Sequence, residues 1–187
     1  LVFTGSQTGM AEFQSLIHQA LGYTTTSILG SQLGNALYPT LNGEVSRQYQ
    51  LSRNGARRIA FRPFVEGQIG VENYIRVGGD FTFGNAGMGD FQVRDVTTGQ
   101  RNIAVKGGRK RGISYLLGGD IAYVQSSQYL PTALGPAVKN LRYRLRSGIY
   151  VEEGQKSLFY GLTWLGEEFE GQPEGQFLGS VSLRFNF

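Results

Sequence analysis

The sequence has no cysteine, one histidine, one tryptophan and five prolines in 187 residues. Without cysteine there is no disulfide scaffold, no thiolate zinc site and no cysteine nucleophile. Apolar runs are only a few residues long, far short of the roughly 20 needed for a helix to cross a bilayer. Neither sign of charge is in large excess, with 18 Lys and Arg against 14 Asp and Glu and a formal net charge of +4. Few prolines and no Gly-X-Y period exclude a collagen-like chain, and 40% hydrophobic content excludes a disordered tract. There is no G-x-S-x-G elbow, no H-E-x-x-H helix and no Walker sequence. Leu1-Val2-Phe3-Thr4 reads as the end of a strand, with no initiator Met or signal peptide before it. The expectation is a mature or truncated chain, a single barrel domain over 1–187 whose N-terminal strands and targeting segment lie upstream.

Glycine and aromatics are what the sequence does have: 28 glycines, about twice the usual share, and 12% Phe, Trp and Tyr. Apolar and polar residues alternate with period two over long segments. Leu41, Val45, Tyr49 and Leu51 face away from Asn42, Glu44, Gln48 and Gln50. The same pattern runs through 59–71, 75–83, 113–123, 141–151, 158–164 and 177–187, which makes seven strands, with Leu1–Gly5 the stub of an eighth. Segments near ten residues exceed the five or six usual in soluble sheets and match a tilted membrane-spanning strand. The polar faces are strongly polar, with Arg142, Arg144 and Arg146 on one face of one strand and Glu152 further along it. Tyr74, Phe83, Tyr123, Trp164 and Phe187 sit at strand ends, as in interfacial girdles. The final strand, closing on Phe187, resembles the C-terminal signal by which the barrel assembly machinery recognises outer-membrane barrels. The predicted fold is therefore all-β, a transmembrane antiparallel β-barrel, with a soluble β-sandwich as the alternative.

Met10 to Leu21 breaks the alternation. Its apolar residues fall at 10, 13, 16, 17, 20 and 21, which predicts a short helix in the 6–40 connection. His18 and Gln14 are one turn apart and project from one face, an imidazole base beside an amide. If the last strand ends in the periplasm, counting back places the 6–40 connection outside the cell. The same count makes Glu72–Tyr74 a tight outer turn and puts the long 85–111 connection in the periplasm. The basic run Lys106, Arg109, Lys110, Arg111 reads as a solvated loop or an attraction for anionic head groups. The Arg142/Arg144/Arg146 ladder reads either as a solvated lumen wall with Glu partners or as a phosphate-attracting wall. Lipid-facing strands argue against nucleic acid as a partner.

Glu12-Phe13-Gln14-Ser15-Leu16-Ile17-His18 resembles the Gln-x-x-x-His helix of the outer-membrane lipid A 3′-O-deacylases, and Ser31-Gln32-Leu33-Gly34-Asn35 resembles the stretch that follows it. Arg62-Pro63-Phe64, Gly70 to Tyr74, Gly79, Arg94-Asp95, Thr98-Gly99 and Glu168-Phe169-Glu170-Gly171-Gln172 fall in that family's order, and the resemblance runs from end to end. Ala36-Leu37 departs from it, standing where the family has an acidic residue and a proline. The resemblance implies a twelve-stranded barrel of which about eight strands are present. It implies an outer-membrane hydrolase that removes the 3′-linked acyloxyacyl group of lipid A in lipopolysaccharide. His18 would be the general base and Gln14 its neighbour, with Ca2+ polarising the ester through ligands upstream of residue 1. The alternative from another class is a non-catalytic barrel, structural or pore-like, that has lost the deacylase site.

Overall fold

Period-two alternation puts successive side chains on opposite faces of an extended chain. The structure, a computed structural model, describes residues 1–5, 8, 33–52, 58–87, 90–105, 111–130 and 137–185. Its strands are β1 (Val2–Thr4), β2 (Ala36–Tyr38), β3 (Leu41–Ser46), β4 (Tyr49–Ser52), β5 (Ile59–Ile69), β6 (Glu72–Gly84), β7 (Phe91–Arg94), β8 (Arg101–Val105), β9 (Arg111–Ser127), β10 (Leu141–Glu153), β11 (Lys156–Leu165) and β12 (Gln176–Phe185). The expected helix with His18 and Gln14 lies outside the described residues, as do Phe187 and Lys106–Lys110.

The main sheet runs β12-β11-β10-β9-β6-β5-β3, with β4 also pairing β5. Every neighbouring pair in it is antiparallel. Beyond Ser46 the pairing of the first edge with β5 breaks, and it resumes at Tyr49↔Phe61. Pro63 of β5 sits at that break and has no N–H to offer a neighbour.

The outer face is predominantly apolar. Val45 is 80% exposed, and Leu41, Ile69, Ile75, Tyr115, Leu145, Tyr160, Val181 and Leu183 are likewise exposed. Phe61 and Phe81 pack there with ring centroids 4.6 Å apart. The inner face is polar and buried, carrying Glu66, Arg76, Asp80, Asp120, Arg144, Arg146, Glu152 and Thr163. A soluble sheet buries its apolar side and wets the other, so this inversion is that of a barrel wall in lipid. Tyr74 is the exception to the expected girdle: it stands on the inner face, its hydroxyl donating to Glu66 at 2.5 Å.

The two ends of the sheet differ. At one, here the turn end, lie the Gly154–Gln155 turn, Gly84, Arg111 and Phe185. At the other, the loop end, lie the Gly70–Val71 turn and residues 128–130, 137–140 and 166–175. The tight turn there falls at Gly70–Val71 rather than at 72–74, where β6 has already begun. The 85–111 connection leaves from the turn end but does not hang free. Its residues 91–105 form the β7–β8 hairpin, which lies against the inner face of the main sheet.

Two glycines open the space for what the inner face holds. Strand register aligns Asp80, Gly118 and Arg146 in one row and Gly78, Asp120 and Arg144 in the next. A Cβ on Gly118 would stand 2.2 Å from Asp80 Oδ1 and 2.9 Å from Arg146 Nε. Gly118→Ala is therefore expected to cost about 1–3 kcal/mol through overpacking. A urea unfolding midpoint in detergent micelles measures it.

Candidate functional site

The inner face concentrates charge at mid-height. Asp80 Oδ2 accepts from Arg94 Nη2 at 3.0 Å and from Arg101 Nε at 2.9 Å, and Oδ1 accepts from Arg146 Nε at 2.7 Å. Glu44 on β3 holds the same two hairpin arginines, Arg94 Nε at 2.7 Å and Arg101 Nη2 at 2.6 Å. Asp120 receives Arg144 Nε at 3.0 Å and also pairs with Arg146. The Arg94 guanidinium lies 3.5 Å from the centre of the buried Phe64 ring, so the cations are layered on an aromatic face as well as paired.

The hairpin is tied to the wall at its tip. Asp95 Oδ1 accepts from Thr98 N at 2.7 Å, and Gly99, at φ +68°, closes the turn. Arg144 Nη1 donates to Val96 O at 2.8 Å, and Gln100 Nε2 donates to Ser147 O at 3.1 Å and Thr163 Oγ1 at 3.1 Å. Below the tip, Ala86, Ile103, Tyr150 and Phe159 form an apolar cluster toward the turn end. The hairpin and this cluster fill the inner face from mid-height to the turn end. The arginine ladder is thus paired, though mostly with aspartates rather than the expected glutamates. Only Arg142 has glutamate partners, Glu72 and Glu168.

Above the plug tip, toward the loop end, lies a cavity of about 360 Å³ bounded by Arg76, Thr97, Tyr129, Arg142, Arg144 and Glu168. Burial raises the pKa of the Tyr129 phenol, and the Glu72 charge raises it further, so the hydroxyl keeps its proton. The Glu168–Gln172 stretch shapes the rim. Glu168 N donates to Gln172 Oε1 at 2.8 Å, and Gly171 adopts φ +84°. Phe169 bridges to Val138, and Lys139 pairs with Glu167, which raises the Lys139 pKa.

The connection that carries His18 and Gln14 leaves and returns at the loop end. β1 pairs β2 in the register Thr4↔Ala36, and Thr4 Oγ1 donates to Gly34 O at 3.0 Å. Gly5 has φ +87°, and a Cβ there would stand 2.7 Å from Asn35 N. That close approach needs glycine, so residues 5 and 34–35 form a neck. β2 is followed at once by β3, whose Leu41 pairs Ile69 beside the Gly70 turn. His18 and Gln14 themselves lie outside the described residues. Among the described residues no three His, Cys, Asp or Glu side chains come together as a metal-holding group.

The signal for the plug was present in the sequence but short. Phe91-Gln92-Val93-Arg94 and Arg101-Asn102-Ile103 alternate, with Asp95, Thr98 and Gly99 between them as turn residues.

A family model described as outer membrane protein LpxR matches residues 3–187. No curated protein matches the chain. Among solved structures, LpxR from Salmonella typhimurium is similar in fold, with a TM-score of 0.81 and 16% sequence identity, over 98% of this chain and 64% of that one. The chain thus spans just under two thirds of that structure's length. Its antiparallel sheet with an apolar outer face has the fold of that barrel. With a match that runs from residue 3 to the last residue, the chain belongs to the outer membrane protein LpxR family and resides in the outer membrane.

Proposed function

We propose that this chain is the larger, C-terminal part of a lipid A 3′-O-deacylase that works at the outer leaflet, with the loop end facing out of the cell. The observation that carries the reading is the family match over residues 3–187, together with a neck at the loop end from which the His18 connection springs. His18 is the general base. A neutral imidazole near pH 7 takes a proton from water, and the water oxygen attacks the 3′ ester carbonyl. The tetrahedral intermediate collapses, the sugar oxygen leaves and takes up a proton, and the acyloxyacyl group departs as a free acid. Gln14, one turn from His18 in the expected helix, is its neighbour in the site.

Calcium belongs to this reading by family resemblance alone. Glu44, Asp80, Asp120 and Glu72 are each held by arginine, and among the described residues no three acidic or histidine side chains come together as a metal-holding group. The calcium ligands are proposed on chain outside the described residues, upstream of Leu1. Phe187 is proposed as the contact for the assembly machinery. The pore-like alternative is disfavoured by the hairpin and the apolar cluster that fill the inner face.

The test expresses the full-length protein in a Gram-negative host and reads lipid A by mass spectrometry. The expected spectrum loses the mass of the 3′ acyloxyacyl group. In isolated membranes the loss should stop with a calcium chelator and return with added calcium. An unchanged spectrum with calcium present would remove the hydrolase reading.

A further inference from the structure

We propose that the loop-end cavity is an oxyanion site, in which Arg76, Arg142 and Arg144 hold a phosphate group. The proposal stands apart from the ester chemistry and does not depend on His18.

Strand register builds the site. Arg76 on β6 and Arg142 on β10 both pair with Ala122 on the intervening β9. Their Cα atoms are two strand spacings apart, about 9–10 Å, and the small Ala122 side chain leaves the gap between them open. Arg144 lies one inward-facing position further down β10, and the plug tip at Thr97 closes the floor. Arg76 is 9% exposed and Arg144 5%, so both guanidiniums are deep in the wall.

Several guanidinium N–H groups beside this cavity are left without acceptors. Arg76 Nε and Nη1, Arg142 Nε and Nη2 and Arg144 Nη2 are buried with no hydrogen-bond partner. None of the nearby carboxylates hydrogen-bonds these five atoms. Asp120 stands 3.6 Å from Arg76 Nε but takes its hydrogen bonds from Arg144 and Arg146. Glu72 and Glu168 both address Arg142 Nη1, at 3.2 and 3.5 Å. Glu66, opposite Arg76 on β5, accepts at Oε1 from the Tyr74 hydroxyl at 2.5 Å and the Asn42 amide at 3.2 Å, and its Oε2 is buried without a hydrogen-bond partner. Unmet charged donors are expensive to bury. Five of them, on three arginines that border one cavity, suit a tetrahedral oxyanion, whose oxygens can accept from several guanidinium forks at once. Because Asp120, Glu72 and Glu168 already balance the three arginines in formal charge, the geometry selects for acceptor oxygens more than for high negative charge. A phosphate bound with modest affinity is the ligand that fits.

The phosphate can come from solution or from a lipid head group, and the test separates the two. Inorganic phosphate is titrated calorimetrically into the full-length protein folded in zwitterionic micelles. One saturable site is expected. Arg76→Gln should weaken it by roughly tenfold or more. Glu168→Gln, at the half-exposed rim, removes a competing carboxylate and should tighten it several-fold, a gain that misfolding cannot mimic. Adding phosphatidic acid to the micelles identifies the source: displacement of inorganic phosphate supports the site with a lipid phosphate as its ligand, and no displacement supports it with free phosphate. No saturable phosphate binding, or identical binding in both variants, overturns the proposal.

Discussion

Replacing His18 with alanine is expected to leave lipid A with its 3′ acyloxyacyl group in place, while the barrel still folds and reaches the outer membrane. His18 is the sole imidazole in this sequence. A positioned general base contributes on the order of 10²–10⁴ in rate, and its removal should bring deacylation below detection in a cell-based spectrum. The pH dependence has a definite sign. Only the neutral imidazole accepts a proton, so the wild-type rate should rise with pH through about 6.5 and then level off. Lipid A mass spectra of cells expressing each form check the first point, and deacylation by isolated membranes across that pH range checks the second. A fold control comes from the heat-dependent gel mobility of the barrel. If His18→Ala still strips lipid A, the base is another residue. The β1–β2 neck at Thr4, Gly5 and Gly34 fixes where the connection that carries His18 begins and ends.

Much of the wall was legible because lipid on one side and polar filling on the other enforce strict alternation. The expected 141–151 and 158–164 strands appear as Leu141–Glu153 and Lys156–Leu165, and the expected 113–123 strand lengthens to Arg111–Ser127. Alternation failed where a backbone detail intervened. The single run expected over 41–51 divides into β3 and β4 beside Pro63, a residue 12 or more positions away in sequence from the break's nearest strand end. Tyr74 was misread because its place near a strand end was weighed above its parity. Even-numbered residues of β6 face inward, and Tyr74 follows Arg76 and Asp80 to the interior. The β7–β8 hairpin was read as a loop because four- and five-residue strands cannot span a bilayer. What makes them strands is pairing with each other, and what holds them to the wall is contact with Asp80, Glu44 and Thr163, each 21 or more positions from its partner Arg101 or Gln100. The acceptor-poor cavity was foreshadowed only by the Arg142/Arg144/Arg146 parity. That Arg76 joins the ladder, and that Asp80 and Asp120 serve it, follows from a register no local pattern states. His18 and Gln14 remain proposals drawn from their spacing and from the family resemblance.

Asp80→Asn is expected to be the most damaging single change to the fold. Asp80 meets three guanidiniums, Arg94, Arg101 and Arg146, at 2.6–3.0 Å, and all four side chains are at most 8% exposed. The amide that replaces it keeps one acceptor oxygen and turns an N–H donor toward cations. Glu44 still holds Arg94 and Arg101, and Asp120 still holds Arg146, so the network is weakened at its centre rather than abolished. Removing one partner of a buried ionic cluster costs about 3–5 kcal/mol, because the remaining charges stay buried without compensation. The consequence is local as well as global. Arg94 and Arg101 are the hairpin's grip on the wall at mid-height, and with Asp80 neutral that grip rests on Glu44 alone. The plug should then loosen before the outer wall melts. Two measurements follow. The urea midpoint of the barrel in micelles should fall markedly in Asp80→Asn. In planar bilayers the full-length variant should show discrete ion conductance where the wild type stays closed. Glu153→Gln is the matched control. It breaks the exposed Arg111–Glu153 pair at the turn end, where solvent screens the charges, and it should change neither reading. Equal midpoints for Asp80→Asn and Glu153→Gln would mean that the central carboxylate does not hold the plug.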